Sequence, residues 1–512
     1  MKTSSLGLAF SVTLIFAAAP ARGQDQTPSD PTTSGPTTRE KVTFTEHVAG
    51  IIFNNCTRCH RPDNIAPFPL TNYKEVRKRA RMIQRVVEDR IMPPWLPVKG
   101  HGEFEDTLRM DQKDVDTIIA WVKGGRVEGN SKLLPEMPDF PSGWNLGEPD
   151  LVVSMPKAFS VPASGRDIYR NFVVPVGLDE DKWLTAIEVR PSARAVLHHA
   201  IFAMDTSGDA RRRDGADGKP GFSGMRGGGG FGRGGSRGGS AGIGQSTSGL
   251  GGWAVGGQAR HLPMGLARKL PKGADIVLQS HLHPSGKRES EKTTLGLYFT
   301  DKAPARTAVG IQMPPMFGIR ANLNVPAGES NFTIRDSFVL PVDAQVLTAG
   351  GHAHMICKDM HIWATLPSGE KKSIFWIDNW LFDWQNRYQY RQPLDLPEGT
   401  KIDAVVTYDN SANNPSNPND PPKRIRWGLQ STDEMGSVTM LCVAKREADS
   451  RELKNAYNRH VAEHFTGGSQ GGGLLSGLAG MMASRIKDLD KNNDGKVEPS
   501  EIPERYKRFV TS

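Results

Sequence analysis

Cysteine is scarce in this chain, with four residues in 512. Four thiols cannot staple so long a chain, which excludes a disulfide scaffold and leaves stability to ordinary hydrophobic cores. Long apolar runs are missing after the amino-terminal stretch, so no later segment reads as a membrane span. Charge of one sign is only mildly in excess. The formal balance is +8, and Lys2 and Arg22 supply two of these, leaving +6 for the rest. For a chain of this size that is a poor case for nucleic acid as a partner. Glycine is plentiful at 55 residues but lies largely in two local runs, not at every third position, which excludes collagen. At roughly 100–200 residues per domain the length allows three or four domains. Against the four cysteines stand 13 histidines and 17 methionines, and their spacing carries the chemistry.

Residues 1–23 read as a secretory signal, with Lys2 before an apolar stretch from Leu6 to Ala19 and small residues around Ala21 to Gly23. The apolar stretch is too short to cross a bilayer core of roughly 30 Å as a helix. The expectation is export, to a periplasm or beyond, without stable membrane insertion. Residues 24–42 are rich in Pro, Thr and Ser and read as a linker.

Cys56-Thr57-Arg58-Cys59-His60 has the spacing of a c-type haem attachment site. Two thiols one helical turn apart reach the two vinyl groups, and the adjacent imidazole becomes an axial ligand. A zinc site would want two further ligands nearby, and a thioredoxin motif a βαβ setting; neither is visible. Residues 43–130 resemble small class I cytochrome c domains, with helices expected over Tyr73 to Arg90 and Asp111 to Lys123. The resemblance implies a methionine from a proline-rich loop as second axial ligand, and Met92 of Ile91-Met92-Pro93-Pro94-Trp95 matches it. Met82 is the rival, but its place in an apolar-periodic helix reads as core packing.

From Pro149 to about Cys442 short strand-like runs alternate with Pro, Gly and Asn, which predicts all-β tandem sandwiches over 145–302 and 303–446. Three histidine clusters sit on these runs. His198-His199 is adjacent on a strand, so both rings reach one metal only where the chain is irregular. His281-Leu282-His283 and His352-Ala353-His354 are H-x-H pairs, which put two rings on one strand face, the second pair after a Gly350-Gly351 turn. Imidazole sets of this kind suit copper or zinc.

Over roughly 150–445 the chain resembles the copper type II, ascorbate-dependent monooxygenases, the peptidylglycine α-hydroxylating and dopamine β-type enzymes. His198 and His199 match two ligands of the first copper, with His281 as third or His283 if the register shifts by two. His352 and His354 match two ligands of the second copper, and Met435, in Ser431-Thr432-Asp433-Glu434-Met435, matches its thioether ligand. The resemblance implies a jelly-roll-like fold for each sandwich, separate copper sites with substrate between the lobes, and C–H hydroxylation by dioxygen at the second copper. It makes His352, His354 and Met435 the catalytic set. The family's peptide-amidating branch anchors its substrate with an arginine and a tyrosine at the positions of Gly350 and Thr439, so a C-terminal peptide carboxylate is a doubtful substrate here. The family's animal enzymes are rich in disulfides, whereas only Cys357 and Cys442 remain here outside the haem motif; they either bridge or stay as buried thiols.

The glycine-rich stretch at about 205–257 reads as a disordered surface insert within the first lobe, not an RNA-binding segment. Residues 447–477 read as a helix and glycine-rich linker. His460 and His464 lie at i, i+4 on that helix; with no third ligand in sight they read as a solvated face. Residues 478–512 fit an EF-hand, in which Asp490, Asn492, Asp494, Lys496 and Glu501 supply calcium ligands around Gly495. The whole therefore reads as a small all-α cytochrome c domain, tandem β sandwiches and a short α EF-hand. The expected activity is that of an exported haem–copper monooxygenase using a small organic substrate, dioxygen and an external electron donor. A non-catalytic periplasmic copper-binding or electron-transfer protein is the alternative.

Overall fold

Short β-branched and aromatic runs, punctuated by Gly, Pro and Asn, build most of this architecture. The computed structural model describes residues 41–466, apart from 63, 65, 141, 142, 224–248, 255, 256 and 258. The leader, the linker to residue 40 and the EF-hand residues Asp490, Asn492, Asp494, Lys496 and Glu501 lie outside the described residues.

In the first lobe a five-stranded antiparallel sheet runs in the order Phe222–Ser223, Ile168–Pro175, Asp275–Leu282, Leu197–Asp205, Gly249–Ala254. It packs on a four-stranded sheet ordered Leu151–Ser154, Thr294–Thr300, Lys182–Arg190, Arg268–Leu270. Phe172, Ala200 and Leu278 from one face meet Leu184, Leu270 and Leu297 from the other. The second lobe pairs two four-stranded sheets. One is ordered Ala308–Met313, Gly436–Ala444, Ala344–Ala353, Arg387–Leu396, the other Phe332–Val339, Lys401–Tyr408, Cys357–Thr365, Lys371–Ile377. Ile311, Val346 and Met440 meet Ile334, Ile362, Phe375 and Val406 between them. Each side chain of this size contributes roughly 1.5–3 kcal/mol on burial, so two such cores hold the lobes without any cross-link. Cys357 and Cys442 are both buried free thiols, so the bridge that residue type alone allowed is not formed.

Five α-helices occur among the described residues: α1 Ala49–Asn55, α2 Tyr73–Glu88, α3 Gln112–Lys123, α4 Asp209–Arg213 and α5 Ser450–Thr466. The Asn72 side chain caps α2 by accepting from the Glu75 amide at 3.0 Å, and Val76, Ala80, Ile83 and Val87 form its buried stripe. Met82 lies off that stripe at 37% exposed, which corrects its reading as a core residue.

The expected fold class needs correction. The molecule is a β-rich multidomain fold with a helix at the carboxy-terminal end of the described chain, and among the described residues no separate all-α cytochrome domain precedes the sandwiches. The reason lies between α2 and α3. There the chain leaves the helices and pairs with the second lobe, Pro97 with Ile377 and Phe104 with Tyr390. Leu96 and Phe104 are buried in that lobe's core; across the same seam the Glu105 amide donates to the Gln389 carbonyl and the Gln389 side chain to the Glu105 carboxylate, while Arg391 donates to the Glu103 and Phe104 carbonyls. The described residues from Val42 to 466 belong to a single compact unit.

The insert expected to be disordered over 205–257 is structured at both ends, while its residues 224–248 lie outside the described residues. Buried Arg170 needs acceptors, and Asp217, with the carbonyls of Lys219, Pro220 and Gly221, supplies them. This orders α4 and the strand Phe222–Ser223, while Gly249–Ala254 pairs with the His198-bearing strand. Among the described residues no helix is long and apolar enough to cross a membrane.

Candidate metal centre

His198 and His199 lie near the start of the strand Leu197–Asp205, next to the fully buried central strand Asp275–Leu282. The ladder between them slips at Leu197/His199, where Leu197 pairs with Leu282 and His199 with His281. This bulge lets both adjacent rings turn to one side, a break in the two-residue alternation that a regular strand forbids. His199 Nδ1 lies 3.2 Å from His198 Nδ1 and 3.3 Å from His281 Nδ1. Two ligands at about 2.1 Å on a tetrahedral ion sit about 3.4 Å apart, so three nitrogens at these spacings can share one ion. All three lie within 4.8 Å of one another.

His283 does not join them. It leaves the strand, is largely exposed, and its Nδ1 meets Asp167 Oδ1 at 2.7 Å. The same carboxylate lies 3.1 Å from His281 Nε2 as an ion-pair contact, and it accepts from the Ser431 amide at 3.1 Å and from the Ser431 hydroxyl. Asp167 thus orients the third imidazole and ties the first lobe to the second. Burial pushes its carboxyl up, but His281, Ser431 and His283 together hold it well below the carboxylate range. Tyr169, paired with His281 across the sheet, stacks on that ring at 4.3 Å and 11°.

The second set comes from the paired strands Ala344–Ala353 and Gly436–Ala444. Their register places His352 opposite Ser437 and Ala353 opposite Gly436, so His354 and Met435 follow side by side beyond it. Gly350 and Gly351 are strand residues here and form no turn. A side chain on Gly350 would meet the Asn386 carbonyl at 2.9 Å, and one on Gly351 would strike Met360, so these glycines serve close packing. His352 Nδ1 donates to Gln385 Oε1 at 2.6 Å and His354 Nδ1 to the Asp433 carbonyl at 3.2 Å, which leaves each Nε2 as the free lone pair. Met435 is 3% exposed, and its carbonyl accepts from Tyr408 at 3.1 Å. Glu434 beneath it is wholly buried; burial raises its carboxyl to about 8 even though the Met435, His354 and Ile356 amides donate to it.

The two sets adjoin. The His199 and His352 rings are 5.9 Å apart, and Phe382 stacks on His198 at 4.4 Å while lying 6.1 Å from His354. The nearest rings of the two sets are thus neighbours across the seam between the lobes. Burial, reinforced by neighbouring imidazoles, pushes His198 down to about 3 and His199 and His354 well below the usual histidine range. Burial likewise lowers His352 to about 4. These rings are neutral at pH 7, with lone pairs ready for a metal ion.

The haem-motif residues lie on the turn after α1. Cys56 and Cys59 are unpaired thiols, and the His60 amide donates to the Cys56 carbonyl at 2.8 Å. His60 Nδ1 donates to the Phe68 carbonyl at 3.0 Å, leaving Nε2 free. Met92 is half-buried in the loop after α2. Sequence reasoning missed Asp167, Tyr169, Phe382 and Gln385. Of these only Asp167 had a signal, a lone acid just before a predicted strand, and nothing local linked it to His281.

No family model matches the chain, and no curated protein matches it. Among solved structures, PNGF-II aligns at 10% identity and a TM-score of 0.23, over 57% of this chain and 65% of its own. The infectious bursal disease virus VP2 subviral particle aligns at 8% and 0.18, over 60% and 74%. The chain thus spans just under two thirds of PNGF-II, and likenesses this slight carry no argument about function.

Proposed function

We propose that the chain is an exported copper- and haem-dependent monooxygenase that hydroxylates a C–H bond of a small organic substrate. The observation that carries this reading is the three-histidine set lying beside the His352/His354 pair, whose neighbouring strand brings in Met435 as the candidate thioether. Simple copper storage needs no such division. Copper at these sets would supply one-electron redox chemistry and dioxygen activation, and haem c at Cys56 and Cys59 would supply electrons. Each hydroxylation uses one dioxygen, two electrons from an external donor and two protons from solvent, one oxygen entering product and the other leaving as water.

The chain's own residues provide the rest. His198, His199 and His281 offer a nitrogen-only set, with Asp167 and Tyr169 fixing the third ring. His352, His354 and Met435 offer a softer set suited to Cu(I), with Gln385 and Asp433 fixing the ring tautomers. Phe382, Phe317 and Trp380 line the seam with apolar surface that limits water; Phe317 lies 4.8 Å from His352, and Trp380 donates to the His354 carbonyl at 3.0 Å. Gly350 has no space for an arginine, so a peptide carboxylate lacks that anchor. The free thiols and the Nε2 of His60 suit covalent haem with one imidazole ligand, and Met92 is the candidate for the other.

A second reading, a copper-binding electron-transfer protein without turnover, is favoured by one observation, the 5.9 Å approach of His199 to His352, which leaves little space between the sets. The test separates the two. Copper-loaded, haem-reduced protein should reoxidise its haem with ¹⁸O₂ and substrate and yield ¹⁸O-labelled product, and copper-free protein should do neither. Haem reoxidation without label in any product of a C–H substrate panel would support the second reading.

A further inference from the structure

His460 and His464 lie one turn apart on α5 and were expected to face solvent. Instead α5 docks them on the strand Phe332–Val339, where Asp336 sits between them. His460 Nε2 is 3.0 Å from Asp336 Oδ2 and His464 Nε2 is 3.3 Å from Asp336 Oδ1. Candidate ligand atoms of all three residues lie within 4.8 Å of one another. The Asp336 side chain is only 5% exposed, that of His460 10%, and that of His464 24%. We propose that Asp336, His460 and His464 form a third metal site, for a divalent ion of the zinc type, separate from the histidine sets between the lobes.

The chemistry of the three ligands supports this. Two imidazoles and a carboxylate are a common ligand set for zinc, with water completing the shell. The spacings of 3.0 and 3.3 Å approach the roughly 3.4 Å expected between ligands of one tetrahedral ion. His464 Nδ1 donates to the His460 carbonyl at 3.0 Å, which leaves Nε2 as the ring atom facing the carboxylate. The His460 ring is held against Phe338 at 5.3 Å and Tyr457 at 6.0 Å.

His460 and Asp336 are 124 residues apart, so the ion would fasten the last described helix to the second lobe. A salt-bridged trio without metal is the competing account. The partial exposure of His464 gives an ion a path in, and substituting that ring removes a ligand without opening the core.

The test uses the full-length protein. Zinc content after dialysis against a weak chelator should be one equivalent lower per chain in His464→Ala than in the wild type, and likewise in Asp336→Asn. Cobalt(II) titration should show visible d–d bands that each variant loses in proportion. Zinc should raise the wild-type melting temperature by more than that of either variant. Because His464→Ala leaves the buried His460 and Asp336 in place, its metal-free melting curve should stay near that of the wild type, which separates metal loss from unfolding. Equal zinc and cobalt stoichiometry in the wild type and both variants would overturn the proposal. So would variants that lower the metal-free melting temperature while binding metal as the wild type does.

Discussion

Asp167 is the residue on which the first histidine set depends most without belonging to it. It touches His281 and His283, and through Ser431 it reaches the segment carrying Met435. Partners of this kind, behind a metal ligand, typically change affinity 10–100-fold when removed. Asp167→Asn keeps the shape but loses the charge that orients His281. Copper affinity at that set should fall by about that factor in competition with a Cu(I) chelator, while the Met435-containing set keeps its affinity. The residue scale is also where the sequence was most legible. Ligand spacings such as Cys56-x-x-Cys59-His60 and His352-x-His354 are local, so their chemistry shows without a fold. Their supports are not local. Tyr169 meets His281 only through strand pairing, and Gln385 reaches His352 across 33 residues.

At the level of elements, the segment joining α2 to α3 decides the architecture. Phe104 is 3% exposed and packs on Tyr390 at 4.7 Å and Tyr388 at 5.7 Å, both in the second lobe. Phe104→Ala should therefore destabilise the β lobe by about 3–5 kcal/mol in urea unfolding followed by tryptophan fluorescence. An unchanged lobe would mean that the helical segment is independent after all. Nothing in residues 95–106 announced this docking, because its partners lie near 374–391, far along the chain. Strand runs and amphipathic helices could be read from period alone; which of them share a core could not.

His101 from the same segment donates to or accepts from Ser373 at 2.7 Å, and His361 meets that hydroxyl at 2.9 Å. Burial, then His101, lowers His361 to about 4. The unfolded chain therefore takes up this proton near pH 6.5 while the folded chain resists it until about pH 4. The stabilising contribution is present above pH 6.5 and is lost as pH falls toward 4. With discount for partial exposure, His361→Gln should flatten the pH dependence of stability in that window by about 1–2 kcal/mol, measured on metal-free protein. A variant curve parallel to that of the wild type would contradict this assignment.

On the scale of the whole molecule, two sandwiches meet along a seam where Asp167, Phe382 and Ser431 bring two ligand sets into contact. Each lobe alone presents half of this arrangement. The spacing of the clusters in the sequence gave no hint that His199 and His352 would approach to 5.9 Å. That approach follows from how the lobes pack, and packing between distant elements leaves no periodic trace.

The most direct test is X-ray absorption combined with metal counting on the fully reduced, copper-loaded chain. The account predicts two copper ions per chain and a sulfur contribution equivalent to one thioether for the pair. His281→Ala should retain one copper with its sulfur, His352→Ala should retain one copper without it, and Met435→Leu should abolish the sulfur signal alone. A chain that binds a single copper, or two coppers with no sulfur in either shell, would contradict it.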